Sequence, residues 1–184
     1  MGGGDKALCP FAGATLLDRV LARMAGQGTP VLLSANGDPA RFARFGLTVV
    51  ADSVTNEPEP LDGRLAGMEW AARCAPDVTD VLSVPTDTPF LPPDLGARLA
   101  AARQAAGAEV AIAASGGRTH PVVGLWPVRL AGVLRAALTV EGERRVGAWA
   151  ARHALAVADY GAATPDPFLN VNTPAEVAAA EAAL

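Results

Sequence analysis

Two kinds of hydrophobic spacing alternate along the chain. Short apolar runs at 31–35, 47–51, 81–84, 109–114, 122–126 and 154–158 have the length and β-branched content of buried strands. Between them, apolar positions recur every three or four residues. Leu17, Val20, Leu21 and Met24 define such a stripe within 16–25, and Leu65, Met68 and Ala72 define another within 65–74. A helix over 95–106 follows the Pro-Pro-Asp sequence that suits a helix start, and Thr173-Pro174 opens a last helix over 175–184. Further helices are predicted at 130–138 and 145–153. Strand and helix in repeated alternation predict an α/β fold, a mostly parallel sheet with helices on both faces.

Ligands in such sheets bind beyond the carboxyl ends of the strands. Polar residues stand at those ends: Ser34 and Asn36 after the first run, Asp52 after the second, Thr86 and Asp87 after the third. The stretch 52–62, rich in Pro, Glu and Asn, is predicted to be a long loop over the site.

Composition narrows the function classes. The chain has 184 residues, the size of one domain, and no repeat or linker divides 1–184. Its net charge of -4 disfavours a sequence-blind nucleic-acid binder, which needs a basic excess. No apolar stretch approaches the ~20 residues that span a bilayer. Cys9 and Cys74 are far apart, and His120 and His153 are the only histidines, so neither a disulfide framework nor a zinc site is expected. Reduced thiols make the cytoplasm the expected location.

Five segments offer chemistry. Gly2-Gly3-Gly4-Asp5-Lys6 can turn backbone N–H groups and a lysine toward an anion, although a free chain end has the same composition. Asp87 follows a strand and sits between Pro85 and Pro89, so its carboxylate is held in a stiff turn, fit either to bind Mg²⁺ or to close the turn itself. Gly63 and Gly67 permit close approach of a ring or phosphate, or simply close helix packing. His120 has no Gly-x-Ser-x-Gly or other nucleophile motif beside it, so a hydrolase triad has no support. Alternation puts Asn170 and Asn172 on one face of an extended segment, where two amides can bond a polar heterocycle. Asn172 or Thr173 is also placed to cap the last helix.

Taken in order, Met-Gly-Gly-Gly-Asp-Lys, Ser-Ala-Asn, Val-Ala-Asp, Gly-Arg-Leu-Ala-Gly, Pro-Thr-Asp-Thr-Pro, His-Pro-Val-Val-Gly-Leu-Trp, Glu-Arg-Arg-Val and Asn-Val-Asn-Thr-Pro-Ala-Glu resemble the molybdenum cofactor guanylyltransferase family. The resemblance runs over nearly the whole chain. It implies a Rossmann-like, nucleotide-diphospho-sugar-transferase-like domain that joins GMP from GTP to molybdopterin carrying molybdenum, with release of pyrophosphate. By position it implies Gly2 and Gly3 in a phosphate loop and Lys6 on phosphate oxygens. Ser34 and Asp52 would lie at the nucleotide, Gly67 near the base, Asp87 on Mg²⁺, and Asn170 and Asn172 toward the pterin. It further implies a cytoplasmic monomer that meets molybdenum insertion proteins or molybdoenzyme chaperones, with no nucleic acid or membrane as partner. Related readings are a nucleotidyltransferase using CTP or another acceptor, and a binding module without turnover. The segments around His120 and Asn170 favour the guanine enzyme.

Three departures from the family pattern are visible. Ser34 stands where the family usually has Asn. Arg64 replaces a usual Pro and is expected to loosen its turn and offer a phosphate contact. The family's opening strand and its Leu-Ala-Gly-Gly loop have no counterpart before Met1, as a late start codon or a truncation would produce. Without that strand, two sheet edges are expected to stand unpaired across a cleft, unless the neighbours close up, another segment fills the slot or the edges pair between chains.

Overall fold

The computed structural model describes residues 5–54 and 60–184. A 3₁₀ turn at Lys6–Leu8 leads into a small antiparallel hairpin, β1 (Pro10–Phe11) and β2 (Ala14–Thr15). Its turn is Ala12-Gly13, with φ of 45° and 78°. Helix α1 (Leu16–Met24) starts at once from a capping box: the Thr15 hydroxyl accepts from the Asp18 amide while the Asp18 carboxylate accepts from the Thr15 amide. Strand β3 (Leu32–Ser34) pairs in parallel with β4 (Thr48–Val50), and a 3₁₀ segment at Pro39–Phe45 connects them.

Helix α2 (Pro60–Cys74) begins five residues before the predicted start and takes in the end of the expected 52–62 loop. The reason is burial. Leu61, Leu65 and Met68 fall on one helical face, all three fully buried, and polar Asp62 and Arg64 are drawn in with them. Strand β5 (Asp80–Ser83) and helix α3 (Leu95–Ala105) follow. Strands β6 (Val110–Ser115) and β7 (Arg118–Pro127) form a hairpin through Gly116-Gly117, whose φ values of 53° and 77° suit a turn that only glycine enters without strain. Helices α4 (Ala131–Thr139) and α5 (Val146–Ala150), strand β8 (Leu155–Asp159) and helix α6 (Pro174–Glu181) complete the order.

The strands β5-β7-β6-β8 make one sheet. Within it β5, β6 and β8 run the same way and β7 runs against them. Alternation on β6 sends Val110 and Ile112 to one face and Ala111 and Ala113 to the other. The first face is covered by Leu61, Leu65 and Met68 of α2, Leu134 and Leu138 of α4, and Trp149 of α5. The second takes Val20 of α1 with Leu95 and Leu99 of α3 against the small side chains Ala111, Ala113, Ala156 and Ala158. The result is three layers, helix on sheet on helix.

Strands β3 and β5 do not pair with each other, and among the described residues no strand lies between them. Among the described residues, β3 and β5 therefore each have one side without a strand partner. Helix α2 touches β3, β4 and β5 and so bridges the two sheets. No disulfide forms, and no helix among the described residues is long and apolar enough to cross a membrane.

Candidate active site

Asp5 caps the first 3₁₀ turn through its side chain, which accepts from the Ala7 amide at 3.2 Å, and this places Lys6 on the surface. The Lys6 ammonium donates to Asn172 Oδ1 at 2.8 Å. Gly2 and Gly3, expected in a phosphate loop, lie outside the described residues.

A second cluster forms where β3 and β4 end. Their parallel register brings Ser34 beside Val50, which sets Asp52 opposite Asn36. The Ser34 hydroxyl donates to Asp52 Oδ1 at 3.1 Å, and the Asn36 amide donates to Asp52 Oδ2 at 2.7 Å. Asn36 Oδ1 in turn accepts from the Asp52 backbone N–H at 2.9 Å, so the two residues hold each other reciprocally. Asn36 thus supplies the amide that Ser34 lacks. The signal for it was its spacing, two residues beyond Ser34 on an extended strand end.

Gly63 lies against this cluster. A Cβ there would come within 2.8 Å of Ser34 Oγ and 3.7 Å of Asp52 Oδ1. Gly67, one turn on, is buried toward Val81 of β5, 3.8 Å from where its Cβ would be. Arg41 ties the clusters together. It pairs with Asp5 at 3.1 Å and also donates to the Asn36 carbonyl, joining the Lys6 turn to the end of β3.

Asp87 follows β5 as expected, half-buried between Pro85 and Pro89. Burial holds its carboxyl above the usual carboxylate range; its own backbone N–H and the Lys6 charge oppose that rise. No cation lies within ion-pair distance of it among the described residues. No group of three or more His, Cys, Asp or Glu able to hold a metal occurs among them either. One desolvated carboxylate without an ion-pair partner suits a cation that keeps its waters and takes further ligands from substrate phosphates, which is how Mg²⁺ binds.

The backbone of Asp87 anchors the last segment: its carbonyl accepts from the Val171 N–H at 2.9 Å. Val171 is fully buried, whereas Asn170 is exposed and Asn172 partly so. Asn170 Oδ1 accepts from the Thr88 hydroxyl at 2.9 Å, and Asn172 takes Lys6. Thr88, directly beside Asp87, is buried. Thr173, not Asn172, caps α6 in a capping box with Glu176, with Pro174 at the first helical position. Asn172 is left free to use its side chain toward Lys6.

One expectation is corrected. Arg64 offers no phosphate contact: its guanidinium is buried, donates to the Val122 carbonyl at 2.8 Å and lies 5.3 Å from the Trp126 ring centroid. Desolvation pulls its pKa down to about 9. It enters the core because the α2 face it occupies packs on β7. His120 meets a serine of the neighbouring strand. Its Nε2 is 2.8 Å from Ser115 Oγ, across the β6–β7 hairpin.

The layered α/β fold, with polar side chains gathered beyond its strand ends, fits a nucleotidyltransferase. The chain belongs to the family described as the MobA-like NTP transferase domain, whose model matches residues 1–156. It is 51% identical over 181 residues to the molybdenum cofactor guanylyltransferase of Bradyrhizobium sp. (strain ORS 278), covering 98% of this chain and 85% of that protein. Among solved structures it is similar to molybdopterin-guanine dinucleotide biosynthesis protein A from Archaeoglobus fulgidus, with a TM-score of 0.68, 18% identity and coverage of 98% and 90%. It also resembles 4-diphosphocytidyl-2C-methyl-D-erythritolsynthase from Anaerococcus prevotii, with a TM-score of 0.73, 12% identity and coverage of 94% and 87%. Both structures share the fold.

Proposed function

We propose that the protein transfers GMP from GTP to the molybdenum-bearing molybdopterin cofactor, forming the guanine dinucleotide and releasing pyrophosphate. The observation that carries this reading is the joining of Lys6, Asn172 and Asp87 into one polar surface through the Lys6–Asn172 and Val171–Asp87 hydrogen bonds. The 51% identical relative named for this reaction supports the choice of substrates.

The chemistry asks for little proton transfer. The phosphate of molybdopterin is already an anionic nucleophile, and the difficulty is bringing two polyanions together in line. Lys6 supplies a mobile positive charge for phosphate oxygens, and Asn172 fixes where that charge sits. Asp87 would hold Mg²⁺, which when bound neutralises phosphate charge. Ser34, Asn36 and Asp52, with Gly63 leaving room, offer a braced carboxylate and hydroxyl to the nucleoside. Gly67 supports that wall from behind. Asn170 and Asn172 face the acceptor. In this reading residues 1–184 act as one domain, a monomer working in the cytoplasm and passing its product to molybdenum insertion proteins or molybdoenzyme chaperones.

The test is pyrophosphate release from purified protein given Mg²⁺, molybdenum-loaded molybdopterin and either GTP or CTP. Turnover with GTP alone is expected, and GTP should also raise the thermal midpoint more than CTP. Turnover with CTP alone would transfer the assignment to a cytidylyltransferase. Binding without turnover would leave a nucleotide-binding module.

A further inference from the structure

Ser115, His120 and Asp166 form a buried polar chain that the proposed chemistry does not use. Ser115 closes β6 and is 1% exposed. Its Oγ lies 2.8 Å from Asp166 Oδ1, 2.9 Å from Oδ2 and 2.8 Å from His120 Nε2. Proton bookkeeping fixes the direction. The hydroxyl has one proton, and the ionised carboxylate can only accept, so that proton goes to Asp166. His120 must then donate from Nε2–H to the serine oxygen. The order is histidine to serine to aspartate. A hydrolytic triad needs the serine proton to pass to histidine, so this chain does not activate a nucleophile.

Its other contacts say what it does instead. Asp166 Oδ1 also accepts from the Phe168 backbone N–H at 2.8 Å, which closes the turn leading out of residue 166. The Phe168 ring is held between His120, at 4.8 Å between centroids, and Tyr160, at 5.1 Å edge-on. Two residues further on stands Asn170, bonded by Thr88, then Val171, bonded to the Asp87 carbonyl. The hairpin end of β6 and β7 therefore grips this segment at Asp166 and Phe168, and the Asp87 turn grips it at Asn170 and Val171.

We infer that Ser115, His120 and Asp166 are positioning residues: a clasp that seats the 166–172 segment on the sheet and so holds Asn170 and Asn172 against Asp87 and Lys6. Its consequence for catalysis rests on the reading of Asn170 and Asn172 as the acceptor side. None of the three touches a reacting atom. They act by fixing the segment that carries those amides, and a loosened segment holds the pterin acceptor less tightly.

The experiment separates the clasp from that reading. Ser115→Ala removes both hydrogen bonds of the hydroxyl from a small buried site. Asp166→Ala removes the carboxylate, and Asp166→Asn keeps an oxygen able to accept from Ser115 and from the Phe168 amide. Hydrogen exchange at the Val171 amide, measured on the full chain, should quicken about tenfold or more in Ser115→Ala and Asp166→Ala and return toward wild type in Asp166→Asn. With the same proteins, KM for the pterin acceptor should rise about tenfold while kcat at saturation and the GTP dissociation constant stay within about twofold. Unchanged Val171 exchange in both alanine variants would overturn the clasp. So would equal weakening of GTP and acceptor with no rescue by Asp166→Asn, which marks a general structural role. Faster exchange with an unchanged acceptor KM supports the clasp and instead removes the acceptor role of Asn170 and Asn172.

Discussion

Lys6 and Asn172 are 166 positions apart in the chain and meet at 2.8 Å. Asn172 is itself fixed, because its backbone N–H donates to Glu176 at 2.7 Å within the start of α6. The hydrogen bond therefore restrains an otherwise free lysine beside the turn that carries Asp87. Lys6→Ala removes a charge meant for phosphate oxygens, and kcat/KM for GTP should fall roughly 10- to 100-fold. Asn172→Ala keeps the charge but frees it and should cost less on the nucleotide side. If the two losses simply multiply in the double variant, the residues act independently and are not coupled.

Asp87 sets stability against function. Burial raises its carboxyl above the ordinary value of 3.8, so folding favours the protonated form. Such a group stabilises the native state below its ordinary value, and that contribution is lost as pH rises through the raised value. At neutral pH its ionised carboxylate is thus a destabilising charge kept for its chemistry. Asp87→Asn should abolish Mg²⁺-dependent turnover and raise Tm at pH 7 by about 2 °C or more. The gain should vanish near pH 3, roughly where the wild-type carboxyl is also neutral. A lower Tm for the variant at pH 7 would show that the carboxylate is compensated in a way the structure does not display.

Gly63→Ala tests the nucleoside side. The new methyl meets Ser34 Oγ at 2.8 Å and Ser34 Cβ at 3.3 Å, so the hydroxyl must rotate away from Asp52. Alanine inside a helix gains up to about 1 kcal/mol over glycine in propensity, which offsets part of the crowding. Near-wild-type stability is expected, together with GTP affinity weakened by about tenfold through the lost Ser34–Asp52 arrangement. Calorimetric titration with GTP checks this, and unchanged affinity would separate the Ser34–Asp52 pair from the nucleotide.

Strand and helix alternation was legible in the sequence because buried faces impose periodicity. Each of the six apolar runs overlaps a strand, and Thr173-Pro174 opens α6. What escaped was either very short or polar. The β1–β2 hairpin pairs only Pro10 with Thr15 and Phe11 with Ala14, too few residues for any period. Arg64 and Asp62 looked like loop residues because charge usually marks solvent, yet the burial of α2 carries both inward. Among candidate site residues, Asp52 and Asp87 are expected from their places after strands, Lys6 from the glycine run before it and Asn170 from the alternation of its segment. Their partners are not. Asn36 finds Asp52, Thr88 finds Asn170 and Ser115 finds Asp166 only once the sheet has brought distant segments together.

His120 gives the fold a pH dependence with a definite sign. Burial lowers its pKa below the ordinary 6.5; the charge of Arg118 acts the same way and Asp166 acts against it. Folding thus favours the neutral imidazole, which already donates from Nε2 to Ser115. The stability this contributes is complete above the ordinary value and is lost as pH falls through the lowered one. Urea midpoints should decline as pH drops from 7 toward the lowered value, and His120→Gln, which keeps an N–H donor for Ser115 but cannot charge, should flatten that decline. His153 is present in both proteins, so their difference isolates His120. Carboxylates held low by partners, such as Asp18 at about 2 through Thr15 and then Arg44, titrate in a more acid window and leave this comparison undisturbed. Parallel curves for the two proteins between pH 7 and about pH 5 would mean that His120 titrates in the folded chain as it does when unfolded.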